Sequence, residues 1–120
     1  MNTHSLAALT CAASVLLTAC AFPTAEFGPT NYDSSGTVPC SRDGHDKVCG
    51  YRLINKGDGS SEIWLANFQH GAPFYRVLQY QSHHFTSRDG TRVTTQHHNS
   101  QWLVSLNRRE ETYQIPDSAL

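Results

Sequence analysis

Phe74-Tyr75-Arg76-Val77-Leu78-Gln79-Tyr80-Gln81-Ser82-His83-His84 is a long run rich in aromatic and branched residues. It is followed by Arg88-Asp89-Gly90-Thr91 and then by a second extended run, Thr91 to His98. Aromatic and β-branched residues suit a pleated, half-buried surface. Asp-Gly accepts positive φ at both central positions of a tight hairpin turn. The stretch therefore predicts two antiparallel strands turning at Asp89-Gly90, and the rest of the chain repeats the pattern at short intervals.

Outward from this hairpin, Tyr51 to Asn55 reads as a short strand and Lys56-Gly57-Asp58-Gly59 as a turn. Ser61 to Phe68 is a second strand, with Ile63 and Leu65 on one face and Trp64, Ala66 and Phe68 on the other. After the pair Asn99-Ser100, Gln101 to Asn107 alternates again: Trp102, Val104 and Leu106 against Leu103 and Ser105. Arg108 to Glu111 reads as a charged, solvated turn, Thr112 to Ile115 as a last short strand, and Asp117 to Leu120 as a frayed tail. Helix signals are weak throughout. The expected fold class is all-β: a small antiparallel meander or barrel-like sheet of five to six strands, with Trp64 and Trp102 as core anchors.

The N-terminus has a different character. Leu6 to Leu17 is an apolar run and ends at Leu17-Thr18-Ala19-Cys20; residues 1–20 contain no Asp, Glu, Lys or Arg. The run is shorter than the ~20 apolar residues of a membrane-spanning helix and has the length of a signal-peptide hydrophobic region followed by small residues. Leu17-Thr18-Ala19-Cys20 resembles the lipobox of a bacterial lipoprotein signal peptide. The resemblance implies cleavage before Cys20, lipidation of the Cys20 thiol and amine, and an anchor of several acyl chains, each contributing ~0.8 kcal/mol per buried CH₂. Ala21, rather than an aspartate, follows Cys20, and the resemblance then implies the outer membrane, facing the periplasm. The expected organisation is a signal peptide over 1–19, a lipidated cysteine and flexible linker over 20–39, and a β domain over 40–120. The linker reading rests on Pro23, Gly28, Pro29, Ser34, Ser35, Gly36 and Pro39.

Beyond Cys20 two cysteines remain, Cys40 and Cys49. An even pair in an oxidising compartment predicts a disulfide. Ser41-Arg42-Asp43-Gly44 inside its loop recurs as Ser87-Arg88-Asp89-Gly90. A two-residue turn at Asp43-Gly44 pairs Cys40 with Lys47, whereas a four-residue loop over Asp43 to Asp46 sets Cys40 opposite Cys49. The second is expected because bridged Cβ atoms lie about 3.5–4.5 Å apart.

The formal net charge of −1 leaves no basic excess for gripping nucleic acid. Seven arginines, at 42, 52, 76, 88, 92, 108 and 109, are scattered and read as surface charge. No Gly-x-Ser-x-Gly turn, free thiol or convergent carboxylate pair is visible, so the expectation is a non-enzyme. Histidine is the residue type that could carry chemistry, in the pairs His83-His84 and His97-His98. With a two-residue turn at Asp89-Gly90, His84 faces Thr95 and His83 faces Gln96. His83 and His98 then share one face diagonally, and His84 and His97 the other. These four are the candidate ligands for Zn²⁺ or Cu²⁺.

The sequence thus points to an outer-membrane-anchored lipoprotein of the bacterial envelope. Its expected role is a non-catalytic binding or scaffold module, either an accessory subunit or an inhibitor or immunity-type protein, with a membrane anchor and an envelope protein as partners. The alternative is a transition-metal-binding lipoprotein using the histidine hairpin. Tyr75, Tyr80 and Phe85 are candidate partner contacts, with core packing as their competing fate.

Overall fold

The protein is described by a computed structural model covering residues 28–68 and 74–120. Cys20 and the lipobox lie outside the described residues. Eight antiparallel strands follow in chain order: β1 (Ser34–Arg42), β2 (His45–Asn55), β3 (Ser60–Ala66), β4 (Tyr75–Gln81), β5 (His84–Ser87), β6 (Val93–His98), β7 (Gln101–Leu106) and β8 (Glu111–Pro116). They form one sheet in the order β5-β4-β3-β2-β1-β8-β7-β6. The sheet coils until its edge strands β5 and β6 face each other, which makes a nearly closed barrel. The two edges approach without a ladder between them.

Alternation fills the interior. Val38, Cys40, Cys49, Leu53, Ile63, Leu65, Leu78, Phe85, Trp102, Val104, Leu106, Tyr113 and Ile115 are buried in one cluster. Residues of the opposite parity, such as Thr94, Gln96 and Gln114, face outward. Trp102 anchors the core as expected, but Trp64 does not. It stands on the outer face, and the segment before β1 covers it. Gly28 lies so close to its ring that a Cβ would come within 3.0 Å of Trp64 Cε3. Beside it, Arg52 Nη1 donates to the Pro29 carbonyl at 2.8 Å, and the Arg52 guanidinium lies 4.6 Å from the Tyr32 ring centroid.

Three expectations are corrected. Among the described residues the count is eight strands rather than five to six, because β1, the first half of β2 and β5 were not legible. The linker expected over 20–39 does not hold for its described end. Residues 28–33 dock on β2 and β3, and 34–39 belong to β1. Pro39 is tolerated there because β1 pairs with β8 only over Cys40 to Arg42, so Pro39 lies where β1 has β2 as its one partner. The tail is not frayed: Asp117–Ala119 makes one 3-10 turn, and Ala119 and Leu120 pack against the core.

The turns carry the largest difference. Asp43 (φ 51°) and Gly44 (φ 81°) do form a two-residue turn, with Arg42 opposite His45. Cys40 therefore pairs with Lys47 and Cys49 with Val38. The disulfide runs diagonally between them, Cα to Cα 5.8 Å. The four-residue loop was unnecessary because a twisted hairpin brings same-face diagonal positions together. The second copy of the tetrapeptide is not a hairpin turn. It ends β5, where the Gly90 amide donates to the Ser87 carbonyl at 3.0 Å. The β4–β5 hairpin turns instead at Ser82 (φ 51°) and His83 (φ 63°), with Gln81 opposite His84.

A left-handed conformation costs about 1–2 kcal/mol per residue outside glycine. Replacing Ser82-His83 by Asn-Gly should therefore stabilise the domain by about 1 kcal/mol or more. Urea denaturation reads this directly, and a loss of stability would show that the His83 side chain offsets the backbone strain.

Candidate functional site

The open seam between β5 and β6 is bridged by side chains at two levels. The first is ionic. Arg76 on β4 and Glu111 on β8 share the apolar parity of their strands, beside Leu78 and Tyr113, and so point into the barrel. Arg76 Nε donates to Glu111 Oε2 at 2.7 Å and Nη2 to Oε1 at 2.6 Å. Their side chains are 5% and 2% exposed. Tyr113 Oη donates to Glu111 Oε2, and Asn67 Nδ2 donates to Tyr113 Oη at 3.1 Å. Burial, together with the neighbouring Glu111 charge, pushes the Tyr113 hydroxyl well above the ordinary phenol range, so it remains a donor. Arg76 Nη1 reaches Asp89 Oδ2 at 2.8 Å in the β5–β6 connection. Both Arg76, read as surface charge, and Glu111, read as part of a solvated turn, are thus interior groups. Each sits on the buried parity of a strand, and only the fold shows that they meet.

Asp89 has its own hydrogen bonds. The Thr91 amide and hydroxyl, then the Ser87 hydroxyl and finally the Arg76 charge, hold its carboxyl well below the usual carboxylate range. Because the folded pKa is depressed, its contribution is present above pH ~4 and is lost as pH falls below that. The side chain is 61% exposed, so water screens much of the effect. Midpoint denaturant concentration measured from pH 5 to pH 2 should fall, and Asp89→Asn should flatten part of that fall. An identical slope in the variant would remove Asp89 from the acid response.

The second level is aromatic. At the other end of the seam, Tyr80 packs on Phe85 at 4.7 Å between centroids, and Phe85 packs on Trp102 at 5.4 Å, edge to face. Two imidazoles flank the indole: His97 at 4.4 Å and His83 at 6.1 Å. His97 stands directly opposite Trp102 in the β6–β7 ladder, and its Nε2 lies 3.0 Å from both carboxylate oxygens of Asp117. Tyr80, His83, His97, Trp102, Asp117 and Leu120 line a hollow of about 320 Å³ at this end. Here rings and polar groups converge at the surface. Aromatic faces supply contact area, and the histidine–carboxylate pair supplies directional hydrogen bonds.

The four candidate metal ligands are not brought together. The turn at Ser82-His83 takes β5 away from the expected register, and β6 pairs with β7 instead. His83 and His97 meet at Trp102. His84 lies on the outer face and borders a separate hollow with Thr86 and Gln79, while His98 pairs with Gln101 next to the Asn99-Ser100 turn. Among the described residues, no group of three or more His, Cys, Asp or Glu side chains is placed to hold a metal ion. Of the candidate partner contacts, Phe85 is buried in the core, Tyr80 is half-buried at the hollow, and Tyr75 is exposed at the other end of β4, against Phe68. Asp117 was missed because the tail reads as polar and terminal; Pro116, which presets the chain direction into the 3-10 turn, was the available signal. Among the described residues, no helix is long and apolar enough to cross a membrane. Comparison with protein-family models, curated proteins and solved structures found no match for this chain.

Proposed function

We propose that this chain is a bacterial envelope lipoprotein, anchored through Cys20 to the outer membrane and facing the periplasm, whose barrel is a non-catalytic binding module. The contact surface is the aromatic end of the seam. The observation that carries this reading is the convergence of His83, His97 and Asp117 on an indole that is itself packed into the core. Such a cluster is rigid before it meets a ligand, so little ordering entropy opposes binding. The barrel interior is filled by Leu65, Leu78, Val104 and Tyr113, which favours recognition at the rim over enclosure of a small molecule. The partner is an envelope protein that presents an apolar side chain to Trp102 and a polar group to the His97–Asp117 pair. The anchor keeps the barrel near the membrane while leaving this end free to dock.

The test uses the lipidated full chain as bait in crosslinked envelopes, compared with a His83→Ala/Asp117→Ala variant. One stoichiometric partner recovered by the wild type and lost in the variant supports the reading. Equal recovery by both moves the contact elsewhere. Transition-metal binding is the weaker alternative, because only His83 and His97 share a hollow. Titration with Zn²⁺ and Cu²⁺ should give affinity no better than millimolar, and micromolar affinity dependent on those two histidines would revive it.

A further inference from the structure

We infer that the outer face of the β6–β7 hairpin is a binding site for phosphate groups, built by Arg92, Arg108 and Arg109 beside Thr94 and Ser105. This site is separate from the aromatic end and does not rest on the contact proposed there.

Three observations converge. The three arginines border an open concavity of about 670 Å³, with Thr94 and Ser105 also lining it. All three are exposed, and among the described residues none forms an ion pair. Arg76 and Arg88, by contrast, both have carboxylate partners. Glu110 in the same loop, and Asp43 whose amide donates to the Glu110 carbonyl, form no ion pair with them. The result is a concentrated positive patch on a chain whose formal net charge is −1.

The floor is the second observation. Thr94 stands opposite Ser105, and Ser105 opposite Thr112. Thr112 in turn stands opposite Ser41. This is a row of four hydroxyls across four strands on the outer face. Ser41 and Thr112 hydrogen-bond to each other. Thr94, nearer the arginines, is exposed and offers its hydroxyl to a ligand, while Ser105 beside it is buried. Guanidinium forks and hydroxyl donors together match the several acceptor oxygens of a phosphate group.

The third is the backbone. Asn107 (φ 52°), Arg108 (φ 55°) and Arg109 (φ 74°) are three consecutive non-glycine residues in the left-handed region. Glycine would adopt this loop without strain. The sequence places two arginines there instead, and both residues line the concavity. Left-handed pairs also occur at Ser82-His83 and Asn99-Ser100, so it is the run of three, with two arginines in it, that sets this loop apart.

The phosphate could come from free inorganic phosphates or from the glycerophosphate headgroup of an anionic lipid. Isothermal titration of the full chain with pyrophosphate and with glycerophosphoglycerol, the deacylated headgroup, distinguishes them. Sub-millimolar pyrophosphate binding that weakens with added salt is expected. The Arg92→Gln/Arg108→Gln/Arg109→Gln variant should lose at least tenfold. Matching arginine-dependent binding of glycerophosphoglycerol assigns the headgroup as the source, and binding of pyrophosphate alone assigns free phosphates. A second variant, Arg108→Gly/Arg109→Gly, guards against misfolding: it should melt at a higher temperature while binding more weakly. No binding of either probe by the wild type, or undiminished binding by both variants, overturns the proposal.

Discussion

Glu111→Ala should destabilise the domain by about 3–5 kcal/mol, the range for breaking a buried ion pair by removing one partner. The carboxylate accepts from Arg76 Nε, Arg76 Nη2 and Tyr113 Oη. Without it, a guanidinium only 5% exposed keeps Asp89, Ser87 and Thr91 on Nη1 but has no acceptor at its other two donors. Arg76 cannot respond by losing its proton: its hydrogen bonds to Glu111 already push its pKa further up, and even without them arginine stays charged. Total stabilities are about 5–15 kcal/mol, so the variant should be largely unfolded at moderate urea concentrations. The pair itself is worth much less than its disruption. Arg76→Met/Glu111→Leu replaces both charges with apolar groups of similar volume and should recover most of the loss. Urea denaturation of the three proteins separates these effects. A Glu111→Ala loss under about 1 kcal/mol would mean that the barrel opens at the seam and hydrates Arg76.

Cys40→Ala/Cys49→Ala should cost about 2.5–3 kcal/mol. In the chain-entropy model a short closed loop of about ten residues removes that much freedom from the unfolded chain. The bond lies in the buried cluster, with Cys49 fully buried, so the native hairpin gains no flexibility that would offset the loss. It also fixes β1, the strand that joins the two halves of the sheet: β2 to β5 on one side, β8 to β6 on the other. The expected readout is a Tm lower by roughly 10–20 °C for a domain of this size, at about 4–8 °C per kcal/mol. Adding a reductant to the wild type should reproduce it. An unchanged Tm in Cys40→Ala/Cys49→Ala would show that the β1–β2 ladder holds β1 without the bridge.

These two effects mark where the sequence was readable. The alternation in Ile63–Leu65 and in Trp102–Val104–Leu106 identified strands, because period two is written directly in side-chain type; the buried face was legible in the second, but in the first the large apolar Trp64 pointed to the wrong side. The disulfide was legible from cysteine number alone. The diagonal geometry was not, because it depends on hairpin twist. The hairpin at Ser82-His83 was hidden because neither residue has strong turn chemistry, while Asp89-Gly90 has it and is used for a connection between the two edge strands. Arg76 and Glu111 each carried a local signal, a charge on the apolar parity beside Leu78 and Tyr113. Their partnership depends on strands far apart in the sheet being brought face to face by closure. The four histidines were grouped by a register that the chain does not adopt, so that His83 and His97, rather than either expected pair, lie against Trp102.

The proposed contact at the aromatic end is most directly tested by site-specific photocrosslinking in intact envelopes. A photoreactive residue replaces His83, at the hollow beside Trp102, or Thr86, on the outer face of β5. Crosslinking of one protein from position 83 and of none from position 86 is the expected result. Equal crosslinking from both positions, or from position 86 alone, would contradict recognition through the Trp102 end of the barrel.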